Sequence, residues 1–319
     1  MLKIAVGVIK NQSGEVLISQ RAEDVHQGGL WEFPGGKLES GESTFQALKR
    51  ELFEELSIEV LSAKPFLVVQ HQYDDVSVNL DVYSVDEFQG AVRGMEQQVT
   101  KWVTVSELAH YAFPAANQVI IDRLNLPHYY PIIDECLGDD ETLLNHLDSL
   151  ISRGFGMIQL RAKSKSDDEF KALAFEALNK CKLKNVRLFL NTNLDVAKTL
   201  NAKAVHLNGA EFKKIKHRST SGISFAVSCH TQMDLKNAYK SGALFAVLSP
   251  VKKTNTHVDV KPLGWKAFAD MVGQVSLPVF ALGGIGPENL DKAVMCGGYG
   301  ISGIRLFVNN ALKLSHSIN

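Results

Sequence analysis

The sequence predicts two domains of different class, an α+β domain over residues 1–127 and an α/β TIM barrel over residues 129–319. Three observations predict them. The chain has 319 residues, too many for one ordinary core and suited to two domains of about 100–200 residues each. Residues 2–124 mix strand-like runs with two helical patterns. From Tyr129 the texture changes to short apolar runs alternating with longer helical segments, the mark of repeated β-α units.

In the first domain, Ile4–Ile9 and Glu15–Ser19 flank a turn at Asn11-Gln12-Ser13-Gly14 and predict a β-hairpin. A Gly/Pro-rich turn follows at Phe33-Pro34-Gly35-Gly36. Ser43 to Leu56 reads as a helix, because Phe45, Leu48, Leu52 and Leu56 recur on one face and Ser43 with Gln46 fits a capping box. Strands are expected at Phe66–Gln70, Val76–Val85 and Lys101–Thr104, and a helix at Ala115–Leu124. Asn125-Leu126-Pro127-His128 is the expected linker. The second domain has strand candidates near Tyr130–Ile133, Met157–Arg161, Arg187–Asn191, Ala204–Leu207, Ser224–Ser228, Phe245–Leu248, Val279–Leu282 and Gly300–Ile304. These eight strands imply a closed barrel, compact at about 190 residues against about 250 for the usual case.

Composition narrows the function classes. Apolar residues make up 45% and charged residues 22%, a globular balance. The net charge is −1 with no block of like charges, so no direct nucleic-acid binding is expected; nucleotides remain as partners. Cys136, Cys181, Cys229 and Cys296 form no CxxC pair, which disfavours a zinc knuckle or a disulfide framework and predicts reduced thiols. The opening Met1-Leu2-Lys3-Ile4-Ala5-Val6 leads into a strand without a signal h-region, and no apolar run reaches membrane-spanning length. A cytoplasmic protein without a membrane partner is expected. Nothing in the sequence selects an oligomeric state.

The decisive stretch runs Gly36-Lys37-Leu38-Glu39-Ser40-Gly41-Glu42, then seven residues, then Arg50-Glu51-Leu52-Phe53-Glu54-Glu55-Leu56-Ser57-Ile58. Glu51, Glu54 and Glu55 stand at i, i+3 and i+4, so three negative charges share one helix face. A hard divalent cation with oxygen ligands relieves that crowding, and magnesium prefers a few carboxylates plus substrate phosphates. Three glutamates alone would read as a solvated acidic face. The positions Gly36, Glu42, Arg50, Glu51, Leu52, Glu54, Glu55 and Ile58 match the Nudix box in type and separation, and this reverses that reading. Residues 1–127 therefore resemble the Nudix hydrolases, of the MutT type in particular. The segments Ile4-Ala5-Val6-Gly7, Arg21-Ala22, Glu32–Lys37, Gly94-Met95-Glu96 and Phe113–Asn117 are similar to that type in the same order. Ser57 departs from the pattern, standing where a glycine is usual.

The resemblance implies that Glu51, Glu54, Glu55, Glu96 and the carbonyl of Gly35 hold magnesium, with manganese as an alternative. Arg21 and Lys37 would neutralise phosphate oxygens of a nucleoside triphosphate. Water would attack the pyrophosphate link, with Glu51 the first choice of general base and Glu96 the second. Asn117 would read the base. Oxidation of guanine at C8 turns N7 from an acceptor into an N–H donor, so one side-chain amide can pair with N7–H and O6 together. The implied substrate is oxidised dGTP, with Phe33 and His26 near the base or sugar. Intact Glu51, Glu54 and Glu55 argue against a Nudix domain that only senses a ligand.

In the barrel, Ile158-Gln159-Leu160-Arg161-Ala162-Lys163, Asn191, Ala204-Val205-His206-Leu207, Val227-Ser228-Cys229-His230, Ser249-Pro250-Val251 and Ala281-Leu282-Gly283-Gly284-Ile285 resemble the thiamine phosphate synthase and TenI family. Its candidate ligand site is Arg161, Lys163, Asn191, Ser228, His230, Gly283, Gly284 and Ser302, at the strand ends where barrel active sites are built. Gly283, Gly284, Ser302 and Gly303 would cradle a phosphate-bearing ligand through backbone N–H groups, or else serve tight connections. The synthase pattern has an aspartate after Asn191, where Thr192 stands, and another after the His206 segment, where only Glu211 is near. His257 replaces its basic residue. An accessory or non-synthase barrel is expected, with a TenI-like proton transfer by His230 as the catalytic option. The alternatives are a thiamine-biosynthetic transferase or a ligand sensor.

Overall fold

The computed structural model describes residues 2–23, 27–74, 76–95, 98–215, 220, 222–254 and 261–308. It divides into two compact units, Met1–Asn125 and Leu126–Asn319. No helix among the described residues is long and apolar enough to cross a membrane. All four cysteines are free thiols.

The first unit runs β1 (Leu2–Ile9), β2 (Val16–Gln20), β3 (Trp31–Glu32), β4 (Gly35–Lys37), α1 (Thr44–Leu56), β5 (Glu59–Gln72), β6 (Ser77–Gln89), β7 (Thr100–Val103) and α2 (Ala115–Leu124). One sheet has the order β4-β1-β6-β5, with β1 parallel to β6; the other has the order β3-β2-β7. Val6, Val8, Ile18, Phe33, Leu67, Leu80 and Ile120 form the core that joins strands of both sheets to α2. Leu48, Leu52 and Leu56 of α1 pack on Ala5, Ile9, Val60 and Val85.

The expected hairpin between the first two strands does not form. Both edges of β1 are taken, by β4 and by β6, and only a single bridge between Lys10 and Val16 links it to the next strand. Ala5–Ile9 and Val16–Ser19 are buried at every position, so neither strand has the wet face of a simple hairpin. The strand expected at Phe66–Gln70 is the later part of the longer β5, and the one expected at Val76–Val85 covers the first part of β6.

Helix α1 has the expected capping box from Ser43 and Gln46. Phe45 is not on the buried face: it is 36% exposed and leans on Tyr83, while Ala47 takes the inward place. Ser57 closes the helix in the left-handed conformation, at φ 55° and ψ 35°. That region is uphill for any residue with a Cβ, which explains why the family prefers glycine there.

The second unit is a closed parallel barrel of β8 (Tyr129–Asp134), β9 (Met157–Arg161), β10 (Arg187–Leu190), β11 (Ala204–Leu207), β12 (Ser224–Cys229), β13 (Phe245–Leu248), β14 (Val279–Ala281) and β15 (Gly300–Gly303), with β15 closing on β8. The helices α3 (Asp140–Ser152), α4 (Asp167–Leu183), α5 (Leu194–Thr199), α6 (Gly209–Lys214), α7 (Gln232–Lys240), α8 (Gly264–Val272) and α9 (Leu290–Met295) alternate with the strands. Outward-facing Ile133, Leu160, Leu190, Val205, Val227, Leu248 and Ile301 pack under the helices. The interior is plugged by Tyr130, Phe189, Phe245 and Phe280, whose rings meet edge to face or tilted at centroid separations of 4.8–5.8 Å. Leu126 and His128, expected in the linker, are tied to β15 and its approach: Leu126 O accepts from the Tyr299 hydroxyl, and His128 O from Ile301 N–H.

Replacing Ser57 with glycine is expected to stabilise the first unit by about 1 kcal/mol. A thermal melt that shows no higher midpoint for this unit would mean that the cap carries no strain.

Candidate functional site

In the first unit, the capped helix α1 and the strand β4 bring the Nudix-box residues together. The Arg50 guanidinium is shared: it donates to Glu42 at 2.8 and 3.0 Å, to Glu51 at 3.0 Å, to Glu54 at 3.1 Å and to the carbonyl of Lys37 at 3.0 Å. A hydrogen bond from Arg50, then the Glu39 N–H, holds Glu42 down at about 2. The same contacts, that with Glu42 foremost, push the arginine further above its ordinary range. Glu42 and Arg50 therefore form the frame, and Glu51 and Glu54 hang on it.

Glu51 packs its carboxylate against Gly36, where a Cβ would meet the oxygens at 2.3 Å. Any larger residue at Gly36 would displace the Glu51 carboxylate from this place. Glu55 turns to the neighbouring residue and accepts from Gly35 N–H at 3.2 Å. Burial, with the carboxylates of Glu32 and Glu51 nearby, pushes Glu55 up to about 8, against the Gly35 and Gln98 hydrogen bonds that favour its ionised form. Glu54 stays exposed. Lys37 is exposed on β4, and Arg21 is ion-paired with Glu32. Burial raises Glu32 as well, more than the pairing with Arg21 lowers it. Glu96 and His26 lie outside the described residues.

Sequence reasoning missed Glu32 and Gln98. Glu32 sits between two aromatic residues on a strand, where only its proximity to Glu55 across the fold gives it meaning. Among the described residues no three acidic, histidine or cysteine side chains converge as a ready-made metal cluster. The donor set nevertheless suits a hard cation: Glu55 lies beside two other carboxylates, and the buried Oε1 of Gln98 has no partner among the described residues.

The base-reading candidates also meet. Asn117, in the first turn of α2 and 8% exposed, accepts from Phe33 N–H through Oδ1 at 3.4 Å, a long contact. Phe33 stacks on Phe113 at 5.6 Å. The hydroxyl of Tyr73 accepts from Ala116 N–H at 3.2 Å.

In the barrel, Arg161, Asn191 and Ser228 stand at the C-terminal ends of their strands, and Asn191 and Ser228 are joined by an interior polar chain. Asn191 donates to Gln159 Oε1 at 3.4 Å and Gln159 to the Tyr130 hydroxyl at 3.1 Å. Tyr130 then meets His206 Nδ1 at 3.1 Å, and His206 Nε2 meets Ser228 Oγ at 2.9 Å. Complete burial, helped by Arg161 and Lys163, holds His206 down at about 3, so the ring is neutral. Arg161 is ion-paired with Asp134. Lys163 is exposed and lowered by partial burial. His230 is exposed, with Nδ1 2.8 Å from Ser249 O. Since a carbonyl only accepts, Nδ1 carries a hydrogen, and in the neutral ring Nε2 is the nitrogen with the lone pair.

The glycine pair has the second of its two expected roles at least. Gly283 and Gly284 have φ of +97° and +63°, and Cβ atoms there would strike Pro250 at 2.8 Å and Lys253 O at 2.3 Å. Ser302 is fully buried and donates to Tyr130 O at 2.8 Å, so its hydroxyl serves the barrel wall. Thr192 follows Asn191, and Glu211 is paired with Lys214 at 2.6 Å. His257 lies outside the described residues.

Comparison with known proteins agrees with both halves. A model described as thiamine monophosphate synthase matches residues 129–307, and one described as NUDIX domain matches residues 5–123. The putative thiamine-phosphate synthase 2 of Aquifex aeolicus is 34% identical over 186 residues, 58% of this chain and 100% of that protein. The 8-oxo-dGTP diphosphatase of Escherichia coli is 37% identical over 123 residues, 39% of this chain and 95% of that protein. The CTP pyrophosphohydrolase of Escherichia coli is 33% identical over 122 residues, 38% of this chain and 90% of that protein. The chain thus belongs to the thiamine monophosphate synthase family through its barrel and to the Nudix hydrolases through its N-terminal domain.

Proposed function

We propose that the first unit hydrolyses oxidised dGTP to the oxidised monophosphate and pyrophosphate, and so removes a mutagenic precursor from the nucleotide pool. One observation carries the choice of base: the Asn117 amide lies beside the Phe33 N–H, 3.4 Å from Oδ1. The long Phe33–Asn117 contact yields to the ligand, freeing Oδ1 to accept from N7–H while Nδ2 donates to O6. On unoxidised guanine, N7 is an acceptor and faces the same oxygen. A site built around such polar pairing discriminates by about 10⁴-fold or more when a partner is left unpaired. A relative that acts on CTP makes the pyrimidine reading the one to exclude.

Glu51, Glu54, Glu55, Glu96 and the Gly35 carbonyl are the proposed holders of magnesium, or of manganese in its place. When bound, the ion supplies charge neutralisation for the pyrophosphate and acidifies the attacking water. The residues of this chain do the rest. Arg50 and Glu42 keep the acidic face aligned, Lys37 and Arg21 face the phosphate oxygens, and Glu51 takes the proton. Arg21 reaches them from its pairing with Glu32.

For the barrel we infer a non-synthase role. A hard cation and pyrophosphate lack the paired aspartates, and Arg161 is already neutralised by Asp134. The hydrogen bond from His230 Nδ1 to Ser249 O leaves Nε2 to serve a metal-free proton transfer on a phosphate-bearing ligand.

The direct test offers the full-length protein magnesium with normal and oxidised nucleoside triphosphates, including CTP, and scores monophosphate release. Oxidised dGTP is expected to be the preferred substrate, and equal rates on CTP would sink the base assignment. Asn117→Ala should lose about 10²-fold or more of the preference for the oxidised base and leave the magnesium dependence intact. Equal losses on both guanine nucleotides would remove Asn117 from base reading.

Glu55 also predicts a pH dependence. Its carboxyl is raised in the folded state, so its stabilising contribution is complete below the ordinary carboxylate value and fades as pH climbs through about 8. Melting of the chelator-treated protein should therefore weaken across that window, magnesium should restore it, and Glu55→Gln should flatten the slope and abolish hydrolysis. A flat profile for the unsubstituted protein would contradict the buried-carboxyl geometry. The barrel is expected to make no thiamine phosphate from the pyrimidine pyrophosphate, the thiazole phosphate and magnesium; product formation by the full chain would promote the transferase reading.

A further inference from the structure

We propose that Tyr73 is a positioning residue for base selection, its hydroxyl capping the helix that carries Asn117 and so fixing where the amide stands. The inference rests on the oxidised-guanine reading above.

Helix α2 begins after Pro114, and no side-chain bond caps it from that position. The first N–H groups of a helix have no partner within the helix and require one from elsewhere. Tyr73 supplies it from 43 residues away, accepting from Ala116 N–H at 3.2 Å. The next residue is Asn117. A strand-end tyrosine thus does the work that a serine or aspartate usually does locally.

The tyrosine is itself held. His71 lies edge-on to its ring at 4.4 Å, the ring packs on the cluster that contains Phe33, and Tyr73 N–H donates to Val76 O at 2.8 Å. The core that holds Phe33 therefore also sets the height of the first turn of α2. This is the geometry that base reading needs, because the Phe33 N–H and the Asn117 amide come from different elements and must stay in register. Without the hydroxyl, Ala116 N–H is left without that partner, the first turn frays, and the Asn117 amide loses its fixed place. The carboxylates of α1 are on another element and stay in place.

Tyr73→Phe keeps the ring and removes only the hydroxyl. In the full-length protein the kcat/KM ratio of oxidised over normal dGTP should fall by about fivefold, the equivalent of one lost cap. The loss should lie in KM for the oxidised nucleotide, with kcat and the magnesium dependence unchanged. Hydrogen exchange at the Ala116 amide, measured without substrate, should accelerate by a similar factor. Adding Pro114→Ser supplies a local cap and should recover both. Unchanged exchange at Ala116, or a selectivity that Tyr73→Phe leaves intact, would overturn the proposal while the base reading stands. An unsubstituted enzyme with no preference for the oxidised base would overturn both together.

Discussion

The Nudix half depends on how negative charge is contained on one helix. Glu51, Glu54 and Glu55 are forced together by the 3.6-residue period, and nearby Glu32 adds a fourth carboxylate. Arg50 contains part of this charge by spreading one guanidinium over Glu42, Glu51 and Glu54. The planar fork of an arginine can serve several carboxylates at fixed angles, which a lysine ammonium cannot. Glu55 is left outside the fork and, by burial, is driven towards its neutral form. The carboxylates of Glu55 and Glu51 thus lie against Gly35 and Gly36, on strand β4.

The barrel solves the opposite problem, keeping polar groups inside a wall of aromatic rings. Tyr130 and His206 are fully or nearly fully buried, and their hydrogen bonds run to Gln159 and Ser228. A buried imidazole is tolerable only when uncharged and bonded on both nitrogens, and the structure meets both conditions. Where the chain reaches the open end it changes character: Arg161 with Asp134, Asn191 and His230 stand at the strand ends. The two halves share a logic, in which a packed interior holds a few polar groups at its edge.

Much of this was legible in the residues. All eight barrel strands fall where short apolar runs predicted them, because parallel strands buried on both faces leave a continuous apolar signal. The helix α1 and its capping box were read from Ser43, Gln46 and the repeat of Leu48, Leu52 and Leu56. The pairing of β1 was not, since both of its neighbours are distant in sequence and a turn at Asn11–Gly14 suits a hairpin equally well. The burial of Ala47 in place of Phe45 was invisible for a related reason, as periodicity ranks residues by polarity and packing ranks them by fit.

The sequence by itself determined the two-domain plan, the acidic helix with its glycine turn, and the family to which each half belongs, because these depend on local spacing and on residue types whose chemistry is narrow. Tertiary structure decided the rest. It set Glu55 rather than Glu51 or Glu54 against Gly35, paired Arg21 with Glu32, laid the Asn117 amide beside Phe33, and placed the Tyr73 hydroxyl at the start of α2. Each of these joins groups from separate elements, 11 to 84 positions apart in the chain. Contacts of that span follow from how sheets and helices pack, and no local pattern encodes them.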